Sequence, residues 1–121
     1  MRNDMPRLTR PLLRGAFYLA SAAVGVLSLA PAAALPAAPI SDKVEHAVAY
    51  ALLALLGCTT SRRGVLRTMI GVSVFGTAIE MLQGFSPGRS PDVLDALANI
   101  AGAALACSVV AMLRRSGIGP A

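Results

Sequence analysis

Apolar residues along the chain gather into four runs, separated by short polar or proline-rich stretches. Gly15 to Ala30 carries no charge and follows Arg2, Arg7, Arg10 and Arg14. Ala47 to Cys58 follows the polar opening Asp42-Lys43-Val44-Glu45-His46, and Val65 to Leu82 is parted from Val93 to Leu113 by a stretch that contains Gln83, Pro87, Gly88, Arg89 and Asp92. Apolar runs on this scale predict membrane-crossing helices, each of which needs about 20 residues. The second run is short for a span. Counted from Asp42 to Thr60 it reaches that length only with its polar first turns at the headgroup level. The pattern therefore predicts an all-α transmembrane helical bundle of about four helices, at about 12–30, 42–60, 65–83 and 92–113, between a basic N-terminus (1–11) and a short tail (114–121).

Punctuation between the runs fits this division. Pro31, Pro36 and Pro39 end the first helix and stiffen the loop after it. Ala32-Ala33-Ala34 before Leu35 forms an A-x-A cleavage signal behind a basic start, so the first run reads either as a spanning helix or as a cleaved signal peptide. Ser41 can cap the second helix with Asp42 in its first turn, and Ser90-Pro91 offers the cap and first helical position of the fourth, with Asp92 following. Gly84, Pro87 and Gly88 mark a tight turn. Gly71 and Gly76 on the third helix, and Ala98, Gly102 and Ala106 four apart on the fourth, would let helices approach closely.

Composition then sets the solvent. With 121 residues, 55% of them hydrophobic and only 14% charged, the chain is a single domain too apolar for an ordinary soluble protein. A net charge of +5 raises the question of nucleic acid, but the cations stand at the ends of the runs instead of forming a stripe, and five aromatic residues give little to stack on, so no nucleic-acid partner is expected. The cations report orientation instead. Nine of them lie in the N-terminus, the Ser61–Thr68 loop and the tail, against Lys43 and Arg89 at the opposite ends. That bias predicts four spans with both termini cytoplasmic. The acids sort the other way: Asp42, Glu45, Glu80, Asp92 and Asp95 are all at the outer ends, and Asp4 alone is inside. Cys58 and Cys107 lie within apolar runs without C-x-x-C or Cys/His spacing, which predicts small buried hydrophobes, with no disulfide, no metal and no cofactor.

Helical spacing says which polar groups can meet. Asp42, Glu45 and His46 share a face of the second helix, with Tyr50 one turn below His46. Glu80 and Gln83 share a face of the third; Asp92, Asp95, Asn99 and Gly102 share one on the fourth. Three polar faces are thus expected to converge at the outer rim. Each group also has a structural role open to it. Asp42 and Asp92 suit the helix dipole, and Asn99 can satisfy a neighbouring helix. Glu80 sits at the carboxyl end of its helix, the wrong end for an anion, so it needs a partner or a proton. Arg89, Lys43 and His46 are the cations within reach, which gives either a buried ion pair that fixes the hairpin or a carboxyl poised for acid/base work.

Asp42-Lys43 with His46 and Tyr50, then Glu80-x-x-Gln83, Pro87-Gly88-Arg89, Asp92 and Asp95-x-x-x-Asn99-x-x-Gly102, in this order on successive apolar helices, resemble the VanZ-like membrane proteins over about Ser41 to Leu105. Ala106 departs from the pattern where a further glycine is common, and the proline-rich first loop carries no family signature. The resemblance implies a small multi-pass protein of the bacterial cytoplasmic (inner) membrane, whose namesake is linked to resistance to teicoplanin, a glycopeptide that binds cell-wall precursors outside the membrane.

Two functions follow from these residues. In the first, Asp42, Lys43, His46, Tyr50, Glu80, Gln83, Arg89, Asp92, Asp95 and Asn99 form an outward-facing pocket for a cell-envelope amphiphile. Its partners would be membrane lipids, a lipid-linked cell-wall precursor or a glycopeptide, with Lys43 and Arg89 meeting phosphate and the carboxylates meeting amines, sugar hydroxyls or a divalent cation. In the second, the same cluster is an enzyme acting on a lipid-linked precursor, with His46, Glu80 and Asp95 as candidate acid/base groups. No nucleophile elbow, H-E-x-x-H or phosphate loop supports the second. Proton-coupled transport through Glu80 and Asn99 is disfavoured by the small number of helices.

Overall fold

The computed structural model describes residues 7–34, 41–60 and 64–118. Arg2, Asp4, Leu35, Pro36, Pro39, Arg62 and Arg63, which entered the charge count and the loop and cleavage expectations, lie outside the described residues. The described residues form four α-helices and no strand: α1 (Thr9–Leu29), α2 (Asp42–Thr60), α3 (Val65–Leu82) and α4 (Val93–Arg115). Single 3-10 turns at Ala32–Ala34 and Gln83–Phe85 follow α1 and α3.

The helix ends follow local chemistry. Ala30, which precedes Pro31, is already extended at ψ 147°, as the proline ring requires of its neighbour, and α1 stops at Leu29. Ser41 caps α2 as expected, its Oγ 3.5 Å from the Val44 N–H. At α4 the expectation is corrected: the cap is Asp92, not the Ser90-Pro91 pair. Asp92 is extended (φ −132°, ψ 118°) and its Oδ1 accepts the Leu94 N–H at 2.8 Å, so the helix begins at Val93, two residues after Pro91.

Packing centres on α2 against α4. Tyr50, Leu53, Ala54 and Cys58 of α2 meet Ala103, Ala106, Cys107 and Val110 of α4, with Val72 of α3 closing the cluster. Two glycines make the approach close. A Cβ on Gly102 would overlap the Ala47 carbonyl, so α2 and α4 touch backbone to backbone there. A Cβ on Gly76 would lie 2.6 Å from Tyr50 Cε1, so α3 leaves room for the tyrosine ring. Gly71 does not share this role: it faces outward with nothing within 4 Å, on the opposite side of α3 from Gly76. Cys58 and Cys107 are free, buried thiols with sulfurs 3.7 Å apart, in van der Waals contact across the α2–α4 seam.

Beyond this narrow core the bundle is apolar on its outside. Leu12, Leu19, Val26, Leu52, Leu66, Val74, Met81, Leu105 and Met112 are all more than half exposed. An exterior of this kind belongs in lipid. Thr9–Leu29, Val65–Phe85 and Val93–Arg115 are long and apolar enough to cross a membrane.

Candidate functional site

The polar residues collect at the end of the bundle where α1 finishes, α2 starts, and α3 turns into α4. α2 and α4 bring theirs together directly. Lys43 Nζ bonds Asp95 Oδ1 at 2.6 Å and Asp92 Oδ2 at 3.0 Å, so one ammonium ties the first turns of two helices. One turn deeper, His46 Nδ1 is 2.8 Å from Asn99 Oδ1, and the Asn99 amide faces the Gly76 carbonyl of α3 at 3.5 Å. The other imidazole nitrogen, Nε2, faces Asp42 Oδ1 at 3.7 Å and Asp95 Oδ2 at 3.8 Å. Asp95 and Asn99 are almost fully buried, whereas Asp42 is exposed. Asp92 stands before α4, and its carboxyl is held below the usual carboxylate range, chiefly by the Lys43 ammonium and then by the Leu94 N–H.

Glu80 does not form the ion pair allowed by the sequence. Its Oε1 accepts the Asp92 N–H at 2.9 Å, and its Oε2 is buried without a hydrogen-bond partner among the described residues. The carboxyl thus sits against the amino end of α4, whose dipole suits an anion, which offsets its unfavourable place at the end of α3. Lys43 is taken by the two aspartates, and Arg89 turns the other way, toward α1.

That turn toward α1 reveals a role the sequence did not show. A helix ends with four carbonyls that lack a partner in the helix. In α1 these receive donors from the α3–α4 connection. Arg89 Nε donates to the Ala30 carbonyl at 2.6 Å and Nη2 to that of Leu27 at 3.4 Å; Ser86 Oγ donates to Leu29 at 2.7 Å, and Gln83 Nε2 to Ser28 at 3.1 Å. The Ala32 N–H completes the seam on the Pro87 carbonyl at 3.2 Å. Ser86 was missed as a functional residue. Its signal lay in the spacing: Gln83, Ser86 and Arg89 are donors at three-residue intervals around a turn, a series that calls for a row of acceptors.

Between α1, the start of α2 and Gln83 lies a cavity of about 270 Å³. Asp42, Glu45, His46, Tyr50, Gln83 and Arg89 provide its polar wall, and Val24, Leu27 and Ala49 its apolar one. The Tyr50 hydroxyl, like Glu80 Oε2, is buried and has no hydrogen-bond partner among the described residues. Of the ten residues singled out from the sequence, five line one cavity (Asp42, His46, Tyr50, Gln83 and Arg89), Lys43, Asp92, Asp95 and Asn99 join α2 to α4 beside it, and Glu80 holds the Asp92 N–H.

Fold and site together define a small helical membrane protein with a polar chamber at one end of an apolar bundle. Residues 16–114 match the VanZ/LLP1 family, and the chain belongs to it. No curated protein and no solved structure gives a match.

Proposed function

We propose that the chamber binds the polar headgroup of a cell-envelope amphiphile, with the protein in the bacterial cytoplasmic membrane, both termini cytoplasmic, all four helices retained, and the chamber facing outward. The observation that carries this is the two-sided wall of the cavity. A headgroup needs hydrogen-bonding partners and a charge, which Gln83, His46 and Arg89 offer, while its chains need the apolar surface begun by Val24 and Leu27. Arg89 contributes a charge bonded, among the described residues, to carbonyls alone, and such a guanidinium suits a phosphate. The family resemblance extends the reading to a lipid-linked wall precursor and to glycopeptide resistance of the teicoplanin type.

Mass spectrometry of lipids that copurify with the intact protein tests this. A lipid-linked envelope precursor enriched over its share of the membrane, and lost from Arg89→Gln protein, is the expected result. Bulk phospholipid in bulk proportions, unchanged by the substitution, would overturn it.

One observation favours a second reading, an enzyme acting on such a lipid. Glu80 keeps a buried carboxylate oxygen without a partner, the arrangement of a group that can take a proton. Turnover of added lipid-linked precursor that disappears in Glu80→Gln protein would establish it. Binding without turnover would exclude it.

A further inference from the structure

We infer that Asp42, His46 and Asp95 form a binding site for a divalent transition-metal ion of the Zn²⁺ type. The geometry begins with Asn99. Its amide nitrogen faces the Gly76 carbonyl, which directs Oδ1 at His46 and makes the imidazole Nδ1–H the donor of the 2.8 Å bond. In a neutral ring the proton at Nδ1 leaves Nε2 with a bare lone pair, the tautomer that ligates metals, held in place by a bond to its other nitrogen. That lone pair faces two carboxylate oxygens, Asp42 Oδ1 at 3.7 Å and Asp95 Oδ2 at 3.8 Å, and the three ligand atoms all lie within 4.8 Å of one another. Three acceptors thus converge with no donor between them among the described residues, and a cation resolves that.

The spacing favours a small ion. Ligand bonds of about 2.1 Å place tetrahedral neighbours about 3.4 Å apart, so His46 Nε2 needs to draw nearer to each carboxylate by only a few tenths of an ångström around Zn²⁺, and the two carboxylates, within 4.8 Å of each other, by at most about 1.4 Å. Lys43 takes Asp95 Oδ1 and so leaves Oδ2 to the ion. One imidazole and two carboxylates make three protein ligands, which leaves a fourth position open, and two of the three, Asp42 and His46, line the cavity. A separate observation points to the same place. Tyr50, one turn below His46, lines that cavity while only 2% exposed, and its hydroxyl is buried and without a partner among the described residues, a donor open to a ligand held in the cavity. No local motif announces this site because its ligands come from two helices and stand about fifty residues apart in sequence.

His46 is the only histidine of the chain, so ¹⁵N-histidine labelling of protein purified without an affinity histidine tag reports on it alone. Metal-free protein should show Nδ1 carrying the proton that bonds Asn99, and one equivalent of Zn²⁺ should move the Nε2 resonance. Calorimetry should give one Zn²⁺ per chain, weakened about tenfold or more in Asp42→Asn protein. Asp42 is exposed, so this variant keeps the fold where Asp95→Asn or His46→Gln could lose it. Absence of Zn²⁺ binding, binding that leaves Nε2 unmoved, or equal affinity in the Asp42→Asn protein would each overturn the site. Zn²⁺ is added without lipid, so failure here leaves headgroup binding standing, and failure of lipid enrichment leaves the ion site standing.

Discussion

Gly102 occupies a point where no side chain fits, because the Ala47 carbonyl of α2 lies where its Cβ would be. Overpacking of this kind typically costs about 1–3 kcal/mol. Gly102→Ala is accordingly expected to lower the free energy of unfolding in detergent by that amount, and Gly71→Ala, with open space around it, to leave it level or raise it slightly. Equal effects at the two glycines would mean that α2 and α4 are not in backbone contact. Asp92 makes a different kind of contribution. Its carboxyl is more acidic when folded, through Lys43 first and the Leu94 N–H second. A carboxyl depressed in this way stabilises the folded state above its unfolded pKa of about 4, and the benefit fades as pH falls through the folded value. Wild-type protein should therefore lose stability below about pH 4 more steeply than Asp92→Asn protein. Parallel acid limbs for the two in a melting series would show that the Lys43 bridge adds nothing.

At the scale of elements, the joint between α1 and the α3–α4 connection decides whether α1 belongs to the chamber. Gln83, Ser86 and Arg89 reach the four last carbonyls of α1, and groups that lack water around them need such partners. Arg89→Ala should raise hydrogen exchange in the last turn of α1, and Arg115→Ala, an exposed position at the end of α4, should not. Arg114 is the wrong control, since its Nη2 donates to the Cys58 carbonyl at 2.7 Å. Intact mass of the purified protein provides a second check: it should include α1, and a species beginning after Ala34 would restore the signal-peptide reading. The helices themselves were legible, because four apolar runs with proline, glycine and Asp/Ser ends leave little freedom in where they start and stop. So was the gathering of Asp42, His46, Asp95 and Asn99, which share helix faces at a spacing of four. What the residues could not show was direction. Arg89 stood beside Lys43 and His46 as a possible partner of Glu80 because these are the cations near it, yet Arg89 and Glu80 Oε1 both bond backbone groups, and backbone groups leave no trace in a pattern of side chains.

For the whole molecule, charge and shape have to agree on which way the chamber faces. Acids crowd the end where α1 closes and α2 opens, whereas Arg7, Arg10, Arg14, Arg67, Arg114 and Arg115 lie toward the other end. A translocated segment carrying Lys or Arg is disfavoured, so the proposed orientation has the acidic end cross. Ser90, exposed in the α3–α4 connection, and Ser116, exposed beyond α4, report the two ends, and the natural cysteines are buried and should stay silent. On intact cells a membrane-impermeant maleimide should label Ser90→Cys and should reach Ser116→Cys only after the membrane is opened. The reverse pattern would turn the chamber toward the cytoplasm and remove extracellular amphiphiles from consideration. Labelling of both positions on intact cells would mean that the chain inserts either way, and a headgroup site defined by one leaflet could not then be its function.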